Sequence, residues 1–302
     1  MDSDTSSDPG RLGTPTPGLG SLGRRPWLVL GGGGLKGLAH VGAYRALVEE
    51  DVEVQGIVGT SIGALVGALV SHGMGWQEMR ERALDLTRDD IVRVNRRAVL
   101  FNGIRQPSIF RGDTLREYFD GLLPKEGWRS LGIPLQINAV ALANGRTEWF
   151  GVGARTDVSL VDAVYASSAL PAIYPPAMLD GVAYVDGGTE HPLALGRAEE
   201  LGATGIIGVD VGSGETHETD SIMKQGMVGV AQRIFSIMTY RRRRDLLAAW
   251  SKTPLLYVRP ELDGYGTFDF EDVDYFVEEG YRAMKKALHR EVEGDTEEPS
   301  GD

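Results

Sequence analysis

The 302-residue chain is 42% hydrophobic and 25% charged, values of an ordinary globular protein that exclude a fibrous or wholly unfolded one. Its formal net charge is −12, half of it in an acidic end (Glu291, Glu293, Asp295, Glu297, Glu298 and Asp302, with no base among them), and the remaining acidic body argues against a nucleic-acid partner. The absence of cysteine excludes disulfides, thiol nucleophiles and thiolate metal sites.

Residues 1–25 are rich in Ser, Gly, Pro, Thr and Asp and nearly devoid of large apolar side chains. Such a composition cannot offset its ordering entropy and predicts a disordered leader, with residues 291–302 as an acidic disordered tail. No signal-peptide pattern opens the chain. The longest apolar run, Ile62–Val70, is far below the ~20 residues that span a bilayer. A cytoplasmic protein is expected, with peripheral membrane contact left open.

Between the tails, β-rich runs alternate with helical patterns. Trp27–Leu30 reads as a strand and His40–Glu50 as a helix with apolar positions at Val41, Tyr44, Leu47 and Val48. Val54–Val58 and Ser61–His72 repeat the pair, and helices are expected at Trp76–Leu86 and Thr114–Leu122. Then come a strand at Leu135–Ala141, a helix at Val158–Ser168, and strands at Val182–Val185 and Ile206–Val211. A long helix at Ser221–Ala249, a strand at Leu255–Val258 and a helix at Phe270–His289 complete the series. The alternation predicts βαβ units, a central mostly parallel sheet covered on both faces, and one domain over 26–290.

Three sites carry chemistry. Gly31-Gly32-Gly33-Gly34-Leu35-Lys36-Gly37 follows the first strand, where glycines let amides converge on negative charge, a phosphate or an oxyanion. Gly32-x-Gly34-x-x-Gly37 also fits the dinucleotide fingerprint, but the second strand ends in Val58-Gly59-Thr60-Ser61 without the acid that fingerprint requires. Gly59-Thr60-Ser61-Ile62-Gly63, between strand and helix, has the form of a nucleophile elbow with Ser61 as nucleophile. Asp186-Gly187-Gly188, after Val182–Val185, offers Asp186 as base once burial raises its pKa, although the same tripeptide also makes an ordinary turn. The five histidines show no metal-binding spacing. Of them, His191 is the one kept as an alternative base; His40 reads as a packing residue, His217 as a loop residue and His289 as a surface residue.

The glycine loop, elbow and aspartate, in that order, resemble the patatin-like phospholipases, and Ala166-Ser167-Ser168-Ala169-Leu170-Pro171 is similar to the segment before that family's aspartate. The resemblance covers about 27–201, and the end of the chain is similar to small bacterial single-domain members. It implies a three-layer α/β/α fold and a Ser61–Asp186 dyad. Gly32, Gly33 and Gly34 would supply oxyanion amides, beside Leu35, Lys36 and Gly37. The glycines Gly59, Gly63, Gly187 and Gly188 would shape the elbow and the base motif. It also implies no metal or other cofactor and a lipid or fatty-acyl ester as substrate. A non-catalytic lipid-binding module, an acyltransferase and, further off, a dinucleotide-binding oxidoreductase are the competing functions. Arg241–Arg244, beside Ile234, Phe235, Ile237 and Met238, form either a patch for anionic headgroups or a solvated face paired with acids.

Overall fold

Apolar runs of four to seven residues cannot bury both faces alone, so they pair into a sheet that helices cover. The computed structural model describes residues 22–23, 25–94, 107–212, 214, 219–224 and 226–289. In chain order its elements are β1 (Trp27–Leu30), α1 (Ala39–Glu49), β2 (Gly56–Gly59), α2 (Ile62–His72), α3 (Trp76–Leu84), α4 (Arg88–Ile91), α5 (Gly112–Leu122), β3 (Leu135–Ala141) and β4 (Thr147–Gly151). These are followed by α6 (Leu160–Ser168), β5 (Ala177–Leu179), β6 (Val182–Asp186), α7 (Leu195–Glu200), β7 (Ile206–Val209), α8 (Thr219–Lys224), α9 (Gly226–Ala249), β8 (Leu255–Val258) and α10 (Val273–Leu288).

Among the described residues the sheet runs β5-β6-β3-β2-β1-β7-β8, with β4 also paired to β3. The five strands from β3 to β8 are mutually parallel, while β4 and β6 pair antiparallel to β3, and β5 antiparallel to β6. All four residues of β1 are buried. Leu28 and Leu30 enter a large core with α1, α2 and α10, whereas Trp27 and Val29 enter a smaller one with Leu193, Leu195 and Ala198. This alternation confirms the mixed α/β class with both faces of the sheet covered.

One register carries the site. β4 overlaps both β2 and β6 along β3, so it occupies the opposite edge, and β2 and β6 share one edge end to end. β2 ends at Gly59 opposite Ile137, and β6, running the other way, ends at Asp186 opposite Ala139. The C-termini of two strands therefore point at one another.

Several sequence expectations are corrected. Leu22, inside the expected leader, is fully buried, and its backbone stands where a side chain at Gly205 would go. The rest of the leader up to residue 21 and the acidic tail lie outside the described residues. The long helix is two helices, α8 and α9, the second starting at Gly226 with φ +62°. The strands β4 and β5 and the short helices α4 and α7 were not anticipated.

Helices α1 and α10 cross in backbone contact. A Cβ on Gly42 would stand 1.7 Å from the Val277 carbonyl oxygen, and one on Gly280 would stand 1.9 Å from that of Ala39. Gly42→Ala is therefore expected to lower stability by about 1–3 kcal/mol as the helices are forced apart. Urea unfolding of the variant beside wild type measures this, and an unchanged midpoint would refute the close crossing.

Candidate active site

Ser61 lies between β2 and α2 with φ +56° and ψ −124°. A non-glycine residue with positive φ costs about 1–3 kcal/mol, held here by the strand before it and the helix after it. The turn needs glycine on both sides. A Cβ on Gly63 would meet the Leu30 carbonyl oxygen at 2.2 Å, and one on Gly59 would meet that of Gly63 at 2.5 Å. A serine before a helix ordinarily caps it through its hydroxyl. Ser61 makes no such bond, and its hydroxyl instead lies against Asp186, where it favours the ionised carboxylate.

The Asp186 carboxyl is buried, and Oδ1 accepts the Gly188 amide at 2.7 Å. Burial raises its pKa to about 6, against the pull of the Ser61 hydroxyl and the Gly188 amide. The 166–171 segment ties the two residues together. Ser167 Oγ accepts the Ser61 amide at 2.8 Å, and the Ala169 carbonyl accepts the Asp186 amide at 3.0 Å.

The glycine loop behaves differently from expectation in part. The Gly32 amide donates to the Pro192 carbonyl at 3.1 Å and the Leu35 amide to that of Thr267 at 2.9 Å, so both are spent on holding the loop. Among the described residues the amides of Gly33 and Gly34 have no protein acceptor, and both glycines line the pocket beside Ser61. Lys36 and Gly37, expected on the substrate side, do not line it. The turn Gly34–Leu38 rolls Lys36 into the interior, and Gly37 packs against Ile62. Burial lowers the Lys36 pKa to about 8, with Arg243 adding to the effect and Asp263 and Asp210 opposing it.

Sequence reasoning missed the groups that hold this arrangement. Asn138, fully buried in β3, accepts the Thr60 hydroxyl at 2.9 Å on Oδ1 and donates from Nδ2 to the Gly187 carbonyl at 3.0 Å. A polar residue inside an apolar central strand was the available signal. Asp210 and Arg243 form a buried ion pair at 3.0 Å, completed by the Gly212 amide and the Tyr257 hydroxyl. Burial pushes the Asp210 carboxyl up, but Arg243 and Arg259, with those two donors, outweigh it and hold its pKa low. Arg243 thus faces inward to Asp210, Arg242 pairs with Glu190 and Arg244 with Asp245, so three of the four arginines follow the acid-paired alternative rather than a patch of four free surface charges.

His191 makes no contact with Ser61 or Asp186 through its ring. Its ring lies 5.5 Å from that of Trp149 and outside the pocket lining, while its carbonyl accepts the Thr60 hydroxyl. His40 Nε2 donates to the Gly31 carbonyl, 2.8 Å away, and burial lowers its pKa to about 4. His289 pairs with Glu50 on the surface, and His217 lies outside the described residues. No cluster of three His, Asp or Glu residues able to hold a metal occurs among the described residues.

The pocket above Ser61 and Asp186 encloses about 1160 Å³ together with its mouth. Leu38, Leu65, Leu115, Phe119, Tyr174 and Phe235 make its wall predominantly apolar; Ser168 and Ser236 also line it, with their hydroxyl oxygens buried and without a protein partner among the described residues.

Replacing Asn138 by leucine would remove one hydrogen bond each from the Thr60 hydroxyl, which keeps the His191 carbonyl, and from the Gly187 carbonyl, which keeps the Glu190 and His191 amides, at about 0.5–1.5 kcal/mol for each bond lost. Denaturant unfolding should show the loss, and a stability equal to wild type would mean that water replaces the amide.

Residues 28–196 match the family described as Patatin-like phospholipase. The chain is 28% identical to the protein named Lysophospholipase NTE1 of Coccidioides immitis, over 89% of this chain and 18% of that one. It is 31% identical to an uncharacterized NTE family protein of Mycobacterium bovis, over 65% of this chain and 51% of that one. The crystal structure of VipD from Legionella pneumophila aligns with 88% of this chain and 67% of its own at 15% identity, with a TM-score of 0.49. The chain thus spans only part of the length of the curated relatives it matches, and a family match over more than half of it decides the assignment: it belongs to the patatin-like phospholipase family.

Proposed function

We propose that the protein is a serine lipid-acyl hydrolase that cleaves carboxylic esters of phospholipids or lysophospholipids through Ser61 and Asp186. The observation that carries this reading is the pairing of a buried, pKa-raised carboxyl with the hydroxyl of a strained serine at the base of an apolar pocket. The name of the fungal relative supports the substrate class. The absence of cysteine supports a reducing, cytoplasmic setting, and a lipid substrate calls for peripheral contact with a membrane.

In the reaction, Asp186 takes the Ser61 proton as Oγ bonds to the ester carbonyl carbon. The carbonyl electron pair moves onto oxygen, where the Gly33 and Gly34 amides and the N-terminal end of α2 stabilise it. Collapse breaks the C–O bond to the alcohol, which leaves with the proton from Asp186. Water then attacks the acyl-enzyme, with Asp186 again as base, and releases the fatty acid. The apolar wall holds the acyl chain. No step calls on a metal or other cofactor.

A fluorophosphonate probe should label Ser61 in wild type, fail on Ser61→Ala, and label Asp186→Asn at least about a hundredfold more slowly, the scale of general-base catalysis. Peptide mapping reads the site. Unlabelled wild type, in buffer and in detergent micelles, would favour a non-catalytic lipid-binding module.

The carboxyl must be ionised to accept a proton, so kcat/KM on an uncharged ester should rise about tenfold per pH unit below the Asp186 pKa of about 6 and level off above it. Stability runs the opposite way. The raised pKa means that the native state binds more protons than the unfolded chain between about pH 4 and 6, so stability falls as pH climbs through that window. Asp186→Asn removes this loss, and its melting temperature at pH 8 should match or exceed that of wild type. A flat pH–rate profile, or a strongly destabilised Asp186→Asn, would contradict the assignment.

A further inference from the structure

Helix α9 has two faces of different character. Its inner face, with Gln232, Phe235, Thr239 and Arg243, lines the pocket, and the Phe235 ring would stand 3.7 Å from a Cβ on Gly188, directly over the base loop. Two ion pairs, Arg243 with Asp210 and Arg242 with Glu190, tie the same helix to the body. On the outer face Met227, Val230, Ile234 and Met238 recur every three or four residues and are 76%, 39%, 53% and 46% exposed. Met223 of α8, just before it, is 65% exposed. Side chains at this spacing form one continuous apolar stripe. Arg241 comes next on that face, one turn beyond Met238, and Arg244 follows beside it; both are exposed.

The charge of this segment is opposite to that of the protein. Helix α9 holds five arginines and one acid, Asp245, which pairs with Arg244 at 3.2 Å, in a chain with 43 acidic and 31 basic residues. No helix among the described residues is long and apolar enough to cross a membrane, so a helix of this kind meets a bilayer by lying on it.

We propose that the outer face of α9 is the surface by which the protein docks on a phospholipid bilayer bearing anionic headgroups. The stripe enters the interface and Arg241 and Arg244 contact the lipid phosphates. The inference rests on the lipid-hydrolase reading for its choice of occupant. It gives that reading a path, because the helix that meets the bilayer with one face walls the acyl pocket with the other. Lipid leaving the bilayer at α9 has only to pass the helix to reach Ser61.

Co-sedimentation of the Ser61→Ala protein with vesicles tests this without hydrolysis. One set of vesicles is phosphatidylcholine alone, and the other mixes in phosphatidylglycerol. The protein should pellet with both and more strongly with the anionic set. The variant M227E/I234E/M238E should lose about tenfold or more of its binding to both, since inserted apolar area drives such contact. R241Q/R244Q should lose only the gain from phosphatidylglycerol. In the background that keeps Ser61, both variants should melt as wild type does and turn over a water-soluble short-chain ester at the same rate, because none of the five residues lines the pocket. Failure of the parent protein to pellet would overturn the proposal, as would equal pelleting by the triple variant. Light scattering that shows a wild-type dimer and a triple-variant monomer, with vesicle binding unchanged, would reassign the face to a second copy of the chain. Vesicle binding without ester turnover by wild type would remove the hydrolase reading and leave the docking surface standing.

Discussion

Everything at the site depends on a single edge of β3 accepting two strands that run toward each other. β2 delivers Ser61 and β6 delivers Asp186, from points about 130 residues apart in the chain, and the shared register on Ile137 and Ala139 fixes their separation. Strand pairing alone would leave a gap there, since Asn138 lies between the two paired positions and faces the break. Its amide bridges that gap, with one hand on Thr60 and the other on Gly187. Buried amides with their hydrogen bonds satisfied are rigid, because any movement exposes an unpaired group to a low-dielectric interior. That rigidity is what lets Ser61 keep its strained backbone.

The second support is electrostatic and lies behind the glycine loop. Lys36, Asp210 and Arg243 are inside the protein with the half-buried Tyr257 beside them, and the pair Asp210–Arg243 links the end of β7 to α9. A buried ion pair adds little net stability over an apolar pair, but it is costly to break and so selects one arrangement. Here it selects the seating of α9 over the pocket. The loop itself is anchored at Gly32 and Leu35 through their amides, which leaves Gly33 and Gly34 presented between two fixed points.

What could be seen from sequence divides along physical lines. The elbow, the glycine loop and the base motif are local: their backbone demands are written in adjacent glycines, so Ser61, Asp186 and the junctions carrying them were legible. Strands with four apolar residues in a row, β1 and β8, were legible for the same reason. The strand β4 was not, because Thr147, Glu148 and Trp149 are only half-buried and carry no apolar alternation. The strand β5 is three residues long with Met178 exposed, below any periodic signal. The inward turn of Arg243 was hidden because its partner Asp210 is 33 positions away, and a run of four arginines reads alike whether one of them is buried or none. His191 was weighed for its ring, whereas its contribution is a backbone carbonyl, which no side-chain pattern encodes.

The position of β1 has a consequence for how the chain divides. The family match ends at residue 196, and the glycine loop, Ser61 and Asp186 all fall within it. Yet β1, which launches the glycine loop, has β7 as one of its two neighbours, and β7, β8, α9 and α10 all come later. A fragment ending at 196 would make β1 an unpaired edge with bare amides and carbonyls, uncover the α1 face that Gly280 touches, and take away the wall that Phe235 gives the pocket. The three motifs belong to the first two thirds of the chain, but the sheet and helices that pack around them run on to α10. Any boundary drawn for expression, fusion or transplantation has to respect the sheet rather than the motifs.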